Sequence, residues 1–447
     1  MKKTLAVLLT AAMLMTLLAG CGGGGSTGGG STGGGAPAQE EPVVQEASFY
    51  EVTEPITIQW WHALEDQYSQ TVQEVVDGFN NSQDLITVEA VYIGSYSQLN
   101  EALVAAHAAG TGLPAITAAN TPYVAEYGSG GLTEVLDPYI EATGYDVNDF
   151  GAGMTAATQY QGKQVALPFL ISTQVIYYNK DLADAEGITI PEDWSEMDAF
   201  LEKASANGRI GLSIPGWDQW YFETFYLNSG LNIVNDDQVT TDLGSETGVA
   251  LAHQFKDWVD KGWVNWTDMG SDASSNMRQG FIDGKTFAVS HTSSLYNNYV
   301  KQCDFEVGMA WLPGNDGHKD QEIGGSMILI PAKNDQATKN AAWQFMMYLC
   351  GKDVNMKWAT ETGYMPTRNS VLTTEEGVEF LAEKPAFQCI FDNLDLIYPR
   401  IQHPGWSQLA TIWMNKMSEI MYEGGDVDSI IAGMAQEINE VLADAMD

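Results

Sequence analysis

Two indoles stand three residues apart in Gly216-Trp217-Asp218-Gln219-Trp220-Tyr221, interleaved with a carboxylate and an amide. Such a set suits a sugar or polyol: its C–H faces lie on the rings while its hydroxyls bond the polar groups. The competing reading of either Trp217 or Trp220 is a plug in the core. Two further stretches, Ser290-His291-Thr292-Ser293-Ser294 and Ile323-Gly324-Gly325-Ser326, read as hydroxyl- and glycine-rich loops. Their backbone N–H groups could face a ligand, and the same sequences also suit ordinary turns.

Signatures of catalysis are weak by comparison. Gly151–Ala156 fits G-x-G-x-x-A, but Asp146–Phe150 before it does not read as a buried strand, so no dinucleotide site is expected. Gly211-Leu212-Ser213-Ile214-Pro215 has proline where a nucleophile elbow needs its second glycine, and nothing nominates a histidine and acid to serve Ser213. The chain has no phosphate-binding G-x-x-x-x-G-K-[ST] loop. A glycosidase needs two placed carboxylates, and among 59 acidic residues some pair can always be nominated. Six histidines without H-E-x-x-H or a close pair give a zinc site little support. The Asn235–Glu246 stretch lacks the alternating ligands of a calcium loop. The expectation is a binding protein, not an enzyme, with no cofactor and no metal.

The elements that must position these residues follow from periodicity. Ile56, Ile58 and Trp60 alternate as a strand. Tyr68, Val72, Val75, Val76 and Phe79 recur at helical spacing, and Asn80-Asn81-Ser82 stops that helix. Ile86–Ile93 makes a second strand, Leu99–Ala109 a second helix closed by Gly110, and Pro114-Ala115-Ile116 opens a third strand. This β-α-β-α order predicts an α/β fold with mostly parallel sheets covered on both faces. Further on, Asp335 caps a helix through Leu349 that ends at Gly351. About 390 residues of this pattern exceed one comfortable core, which predicts two lobes.

The 447 residues carry 59 Asp and Glu against 20 Lys and Arg, a formal charge of −39. Phosphate binding draws on Lys and Arg, so no nucleic-acid partner is expected, nor a basic surface for anionic lipid. The N-terminus reads as an address. Lys2 and Lys3 precede an apolar run from Leu5 to Leu18, too short to span a bilayer but suited to a signal peptide. The run ends in Leu18-Ala19-Gly20-Cys21, which resembles the bacterial lipobox. Residues 1–20 are thus expected to be a signal peptide, Cys21 the lipidated residue, and 21–54 a flexible linker whose Gly22–Gly35 part holds ten glycines. The protein is expected outside the cytoplasmic membrane of a single-membrane bacterium, tethered by lipid alone. Cys303, Cys350 and Cys389 remain and allow at most one disulfide.

From Trp60 onward a series of short motifs appears in order: Trp60-Trp61-His62-Ala63-Leu64, Phe79–Gln83, Gly94–Gln98, Leu167-Pro168-Phe169 with Ser172-Thr173, Tyr177–Asp181, Gly216-Trp217 with Trp220, Gly324-Gly325-Ser326 and Thr362-Gly363-Tyr364-Met365-Pro366. Through them the chain resembles the extracellular solute-binding proteins (family 1) of bacterial ABC importers, especially the glycerol-3-phosphate-binding branch. The resemblance implies a type II periplasmic-binding-protein-like fold, two lobes joined by crossover hinge strands. Crossings are implied near Leu167–Leu170, Ile323–Ser326 and Pro366–Leu372. One lobe then comprises 55–167 and 324–370, the other 168–323 and 371–447. It implies ligand contacts from Tyr96, Ser172, Trp217, Trp220, Thr292, Gly325 and Tyr364, with His62 and Asn120 completing the candidate set. The branch's acidic ligand residue falls on Thr121, and its phosphate-pairing arginine falls near Ala410. A phosphate pocket without that arginine lacks a charge-assisted partner. The implied ligand is therefore a neutral mono- or oligosaccharide, with glycerol-3-phosphate or a related diester as the alternative. The implied partners are ABC permease subunits, with the binding protein itself a monomer. Cys21→Ser is expected to abolish incorporation of labelled fatty acid and to release the protein into the medium, as fractionation of expressing cells would show.

Overall fold

The structure is a computed structural model that describes residues 50–150, 152–393 and 396–446. The signal peptide, Cys21 and most of the linker lie outside the described residues. In β1 (Ile56–His62), Ile58, Trp60 and His62 turn inward and are buried. Helix α1 (Ser69–Asn80) buries Val72, Val75, Val76 and Phe79 against the sheet, as their spacing requires. After β2 (Ile86–Tyr92) comes α2 (Tyr96–Ala109), which starts three residues before the expected Leu99. The reason is a capping box: Ser95 and Gln98 each accept the other's backbone N–H through their side chains. Gly110 ends the helix at φ +68°, a left-handed turn that glycine adopts without strain. Then follow β3 (Ile116–Ala119), α3 (Tyr123–Ser129) and β4 (Leu167–Ser172).

Thr173 alone separates β4 from β5 (Gln174–Asn179), which belongs to a second sheet. That sheet also takes β6 (Ile210–Ile214), with α4 (Trp220–Asn228) after it, and β7 (Val264–Trp266), β8 (Thr286–Thr292) and β9 (Val307–Ala310). A short β10 (Gln321–Glu322) leads into β11 (Gly324–Leu329), which returns to the first sheet. Helix α5 (Gln336–Leu349) is capped by the Asp335 side chain, and Gly351 opens the next helix, Lys352–Glu361, instead of closing this one. The Phe387 ring packs on Tyr296 of the second lobe at 5.3 Å, so the chain is already against that lobe before β12 (Ile397–Tyr398), which pairs with β10; it ends in α6 (Trp406–Ser418) and α7 (Val427–Asp444).

Strand order is β2-β1-β3-β11-β4 in the first sheet and β9-β5-β8-β6-β7 in the second. Both are mixed where mostly parallel sheets were expected. β1, β2 and β3 run parallel, whereas β11 is antiparallel to β3 and β4. β6, β7 and β8 run parallel, and β5 is antiparallel to β8 and β9. The antiparallel strands β11 and β5 are those that enter a sheet directly from the other lobe, so their direction is set by the crossing and not by a β-α-β unit.

One core joins Trp60, Phe169 and Phe345 of the first lobe to Val175, Tyr177, Val289 and Tyr299 of the second. A separate core packs Phe222, Phe255, Trp266 and Trp413 beneath the second sheet. In β11 the backbone bulges between Ser326 and Met327, and Gly325 holds φ +100°, where an added Cβ would collide with the Leu170 carbonyl. A side chain there meets both strain and collision. Gly325→Ala is expected to lower stability by about 1–3 kcal/mol in chemical denaturation.

Candidate functional site

The strand that ends at Ile214 delivers the turn Gly216–Gln219 and the first turn of α4 to the seam between the lobes. Gly216 donates its N–H to Thr267 Oγ1 at 2.9 Å, and Trp220 donates its own to Asp218 Oδ1 at 3.0 Å. Nearly every residue of α4 is buried, Glu223 included, because the helix is enclosed by its own lobe and by the crossing segments. Trp220 is buried with its indole against Gly324 and Ser172; a Cβ on Gly324 would lie 2.7 Å from Ser172 Oγ and inside the Trp220 ring. Gly324 is thus small so that the ring can approach the backbone. Trp217 is half-buried, edge-on to Tyr221 at 6.2 Å and to His291 at 6.3 Å.

The first lobe faces this wall with phenols. Tyr68 lies 5.7 Å from Tyr364 between ring centres, and its hydroxyl donates to Ser294 Oγ at 3.2 Å across the seam. Tyr96, at the start of α2, has its hydroxyl beside Ser326 and near Glu65. The backbone also closes the seam: Gly363 N–H donates to the Ser294 carbonyl at 3.0 Å, and the Asn297 side-chain amide to the Thr360 carbonyl at 3.0 Å. Glu65 of the first lobe pairs with Arg278 of the second at 3.1 Å. Thr292 holds the turn after β8, its Oγ1 3.0 Å from Ser294 Oγ.

Burial fixes the protonation of this surface. It pushes the Tyr96 and Tyr68 hydroxyls up to about 12, and those of Tyr221 and Tyr364 well above their usual value, so all four are neutral donors. His291 is driven down to about 3 by burial, with Arg278 adding to the effect, and its Nδ1 lies 2.9 Å from the Tyr299 hydroxyl. The seam therefore presents neutral rings and hydroxyls. Its charges are largely paired.

The candidate residues divide in their placement. Ser172, Trp220 and Gly325 gather around the β4–β11 pairing, Tyr96 stands beside Ser326, and Tyr364 and Thr292 meet at Ser294. Trp217 joins them through Tyr221 and His291. His62 is placed otherwise: its ring packs against Trp60 and Tyr92, and Nδ1 accepts the Leu64 N–H. Asn120 and Thr121 follow β3, where their carbonyls accept N–H groups of the first turn of α3. The expected loops are shorter than read. Gly324–Ser326 lies in β11, and Ser290–Thr292 in β8, because both pair fully with neighbouring strands. Ser213 is buried in β6 beside Asn265, which is no elbow.

Sequence reasoning missed Tyr68, which its spacing assigned to the core of α1, and the Glu65–Arg278 pair. It also missed Glu223 and Glu322. No local pattern marks these residues, since their partners are far away along the chain. Among the described residues no cluster of three or more metal-ligating groups is present, and no helix is long and apolar enough to cross a membrane. A pocket of about 380 Å³ lies elsewhere, lined by Ser129, Gln159, Gln161, Gln238 and Gln402 among others.

Residues 74–388 match the profile of the bacterial extracellular solute-binding proteins, and the chain belongs to that family. It is 24% identical over 340 residues to the sn-glycerol-3-phosphate-binding periplasmic protein of Pectobacterium atrosepticum, covering 72% of this chain and 76% of the relative. In fold it is similar to the GacH receptor of Streptomyces glaucescens, solved unliganded and with acarbose (TM-score 0.77, 22% identity, 88% of this chain and 100% of that one). It is equally similar to UgpB of Mycobacterium tuberculosis, solved with glycerophosphocholine (TM-score 0.78, 20% identity, 88% and 100%). The fold is the two-lobed one of periplasmic solute-binding proteins, and the protein is a solute-binding protein.

The depressed histidines set a pH dependence. An unfolded histidine titrates near 6.5, whereas His62 holds out to about 4 and His291 to about 3. Between those values the unfolded chain takes up protons that the folded one refuses, so these two sites lower stability as pH falls below about 6.5. Denaturation midpoints against pH are expected to show this, with a shallower acid limb in His291→Gln.

Proposed function

We propose that the protein is the lipid-tethered binding component of an ABC importer, and that it takes a neutral mono- or oligosaccharide between its lobes and delivers it unaltered to the permease. One observation carries the choice of ligand: the seam joins indoles and neutral phenols to serine and threonine hydroxyls, while its guanidinium groups face carboxylates of the protein itself. Arg278 pairs with Glu65, and Arg400 lies beside Glu223. A phosphate would have to compete with those carboxylates for its charge-assisted partner, whereas a sugar needs ring faces and hydrogen bonds. In this reading the ligand is held by Tyr96, Ser172, Trp217, Trp220, Thr292, Gly325 and Tyr364, with His62, Asn120 and Thr121 at its margin. The lobes meet at Thr173, near Ile323 and near Pro366–Leu372. The body acts as a monomer outside the membrane, leashed by the linker and a lipid on Cys21.

Glycerol-3-phosphate or a glycerophosphodiester is the second reading, favoured by the name of the Pectobacterium relative and by the glycerophosphocholine in the mycobacterial structure. A tethered glycosidase is disfavoured by the match to the solute-binding family, whose relative in Pectobacterium is named for binding and not for hydrolysis.

A thermal-shift screen of oligosaccharides against phosphorylated polyols separates the readings, since only a ligand of the folded state raises the melting temperature. Sugars are expected to stabilise the protein without being cleaved; release of product would overturn the transport reading. Trp217→Ala is expected to weaken binding of the best sugar at least tenfold, about 1.4 kcal/mol, with the melting temperature of the free protein little changed. Unchanged affinity by calorimetry would remove Trp217 from the site.

A further inference from the structure

Beneath Trp220 lies a charged cluster that the binding surface does not use. Glu223, one turn along α4, is fully buried. Glu322 of β10, two residues before the glycine that receives the Trp220 ring, is 3% exposed. Arg400, two residues after β12, is 6% exposed. The Arg400 Nη2 lies 3.8 Å from Glu223 Oε2, and its guanidinium carbon is 6.0 Å from the centre of the Trp220 ring. With its amide turned to satisfy both neighbours, Gln219 accepts from Arg400 Nη2 at 2.6 Å and donates to Asp218 Oδ1 at 3.2 Å. Glu322 Oε1 accepts the Ile401 N–H at 3.4 Å. Gln174, the first residue after the β4–β5 crossing, donates to the Trp220 carbonyl and to Thr224 Oγ1, the latter at 3.0 Å.

Segments beside two connections between the lobes thus converge on the first turn of the helix that carries Trp220. Gln174 follows the first and Glu322 precedes the second, while Arg400 arrives from β12, the strand paired with that of Glu322.

The charge count imposes a proton. Two carboxylates and one guanidinium sit together out of water, and a second uncompensated negative charge there is costly. We propose that Glu223 and Glu322 hold one proton between them, and that this protonated pair, with Arg400, is a positioning device that fixes the Trp220 turn to the hinge and ties ligand affinity to pH. The device rests on the reading that Trp220 belongs to the ligand site. Burial is the largest cause pushing both carboxyls upward, Glu223 well above the ordinary range. Arg400 opposes the shift in each, and Asp218 adds to it. From α3, Tyr123 lies near Asp218 and Arg400, and burial pushes its hydroxyl up to about 12, so it stays neutral. The pair titrates as a unit, so the retained proton belongs to both residues.

The sign follows. Unfolded glutamates lose their protons near the usual carboxylate range, whereas the folded pair keeps one. The contribution of the pair is full below that range and is lost as pH rises through the raised folded value. The cluster packs beneath the first turn of α4, so loss of its proton loosens the turn that carries Trp220, and binding weakens in the same direction.

The test uses the full body, Glu322→Gln, and maltotriose and glycerophosphocholine as probes. Glutamine keeps the shape and hydrogen-bonding capacity of Glu322 but leaves Glu223 as a single carboxylate facing Arg400. The wild-type melting temperature is expected to fall as pH is raised from the ordinary carboxylate range through neutral to mildly alkaline values, and the variant's to stay nearly level. Affinity for whichever probe binds is expected to fall about tenfold over that range in the wild type, and to be flat in the variant. An equal melting-temperature slope in both proteins overturns the shared proton. A flattened slope with affinity independent of pH in the wild type overturns the positioning role. Failure of both probes to bind at any pH counts against the solute reading, while the melting curves still decide the proton. Isotope-edited infrared spectra of the free protein supply a second measure: a protonated carboxyl band near neutral pH that Glu322→Gln removes is expected, and its absence in the wild type overturns the proposal.

Discussion

Burying charge where the chain passes three times between two lobes is the constraint on which the rest of this structure turns. A hinge must bend, so its strands are short and leave backbone and side-chain polar groups to be satisfied by whatever crosses beside them. Here Thr173 N–H donates to Ser293 Oγ, Ile323 N–H to the Tyr398 carbonyl, and the turned Gln321 amide to the Gln174 carbonyl. Segments beside the crossings therefore satisfy the crossings' polar groups. The cost is a rigid requirement on composition: small or polar residues must occupy the crossings, and the large rings are displaced to either side.

That displacement explains why an aromatic surface forms at the seam. Trp220 is admitted against the backbone only because Gly324 has no side chain, and Gly325 permits the bulge that turns Ser326 inward beside Tyr96. The same two glycines thus set the approach of one lobe's indole and of the other lobe's phenol. The contacts that join the lobes around this surface, Tyr68 to Ser294 and Glu65 to Arg278, are a neutral hydroxyl pair and a partly exposed ion pair. Each is worth little alone. Closing the lobes therefore depends on adding surface to the seam, and a ligand that touches both walls does so.

Much of the frame was legible in the sequence. Alternation in Ile56–His62, the helical spacing of Val72–Phe79, Gly110 as a stop and Asp335 as a cap all act locally, within a few residues of the element they define. The start of α2 was equally local, written in Ser95 and Gln98, and was read three residues late. What local pattern cannot supply is pairing across the chain. Gly324-Gly325-Ser326 reads as a loop until β4 is known to lie alongside it, and Tyr68 reads as core until Ser294 is known to face it. Glu223 was invisible for the same reason. One acidic residue inside an aromatic helix, Trp220–Asn228, breaks the pattern but names no partner, because Glu322 and Arg400 arrive from segments far along the chain.

Breaks of that kind carry information about mechanism. A helix destined only for the core gains nothing from a buried carboxylate, whose desolvation has to be met by an equally buried partner. In α4 the partners reach Glu223 from two segments beside the hinge, β10 and the residues after β12. The charge state of the cluster therefore bears on how firmly the turn presents Trp220, while the balance of open and closed forms is left to the ligand. A ligand shifts that equilibrium only by its differential affinity for the two forms. The cluster acts on the turn that meets such a ligand, one helical turn beneath the indole at the seam.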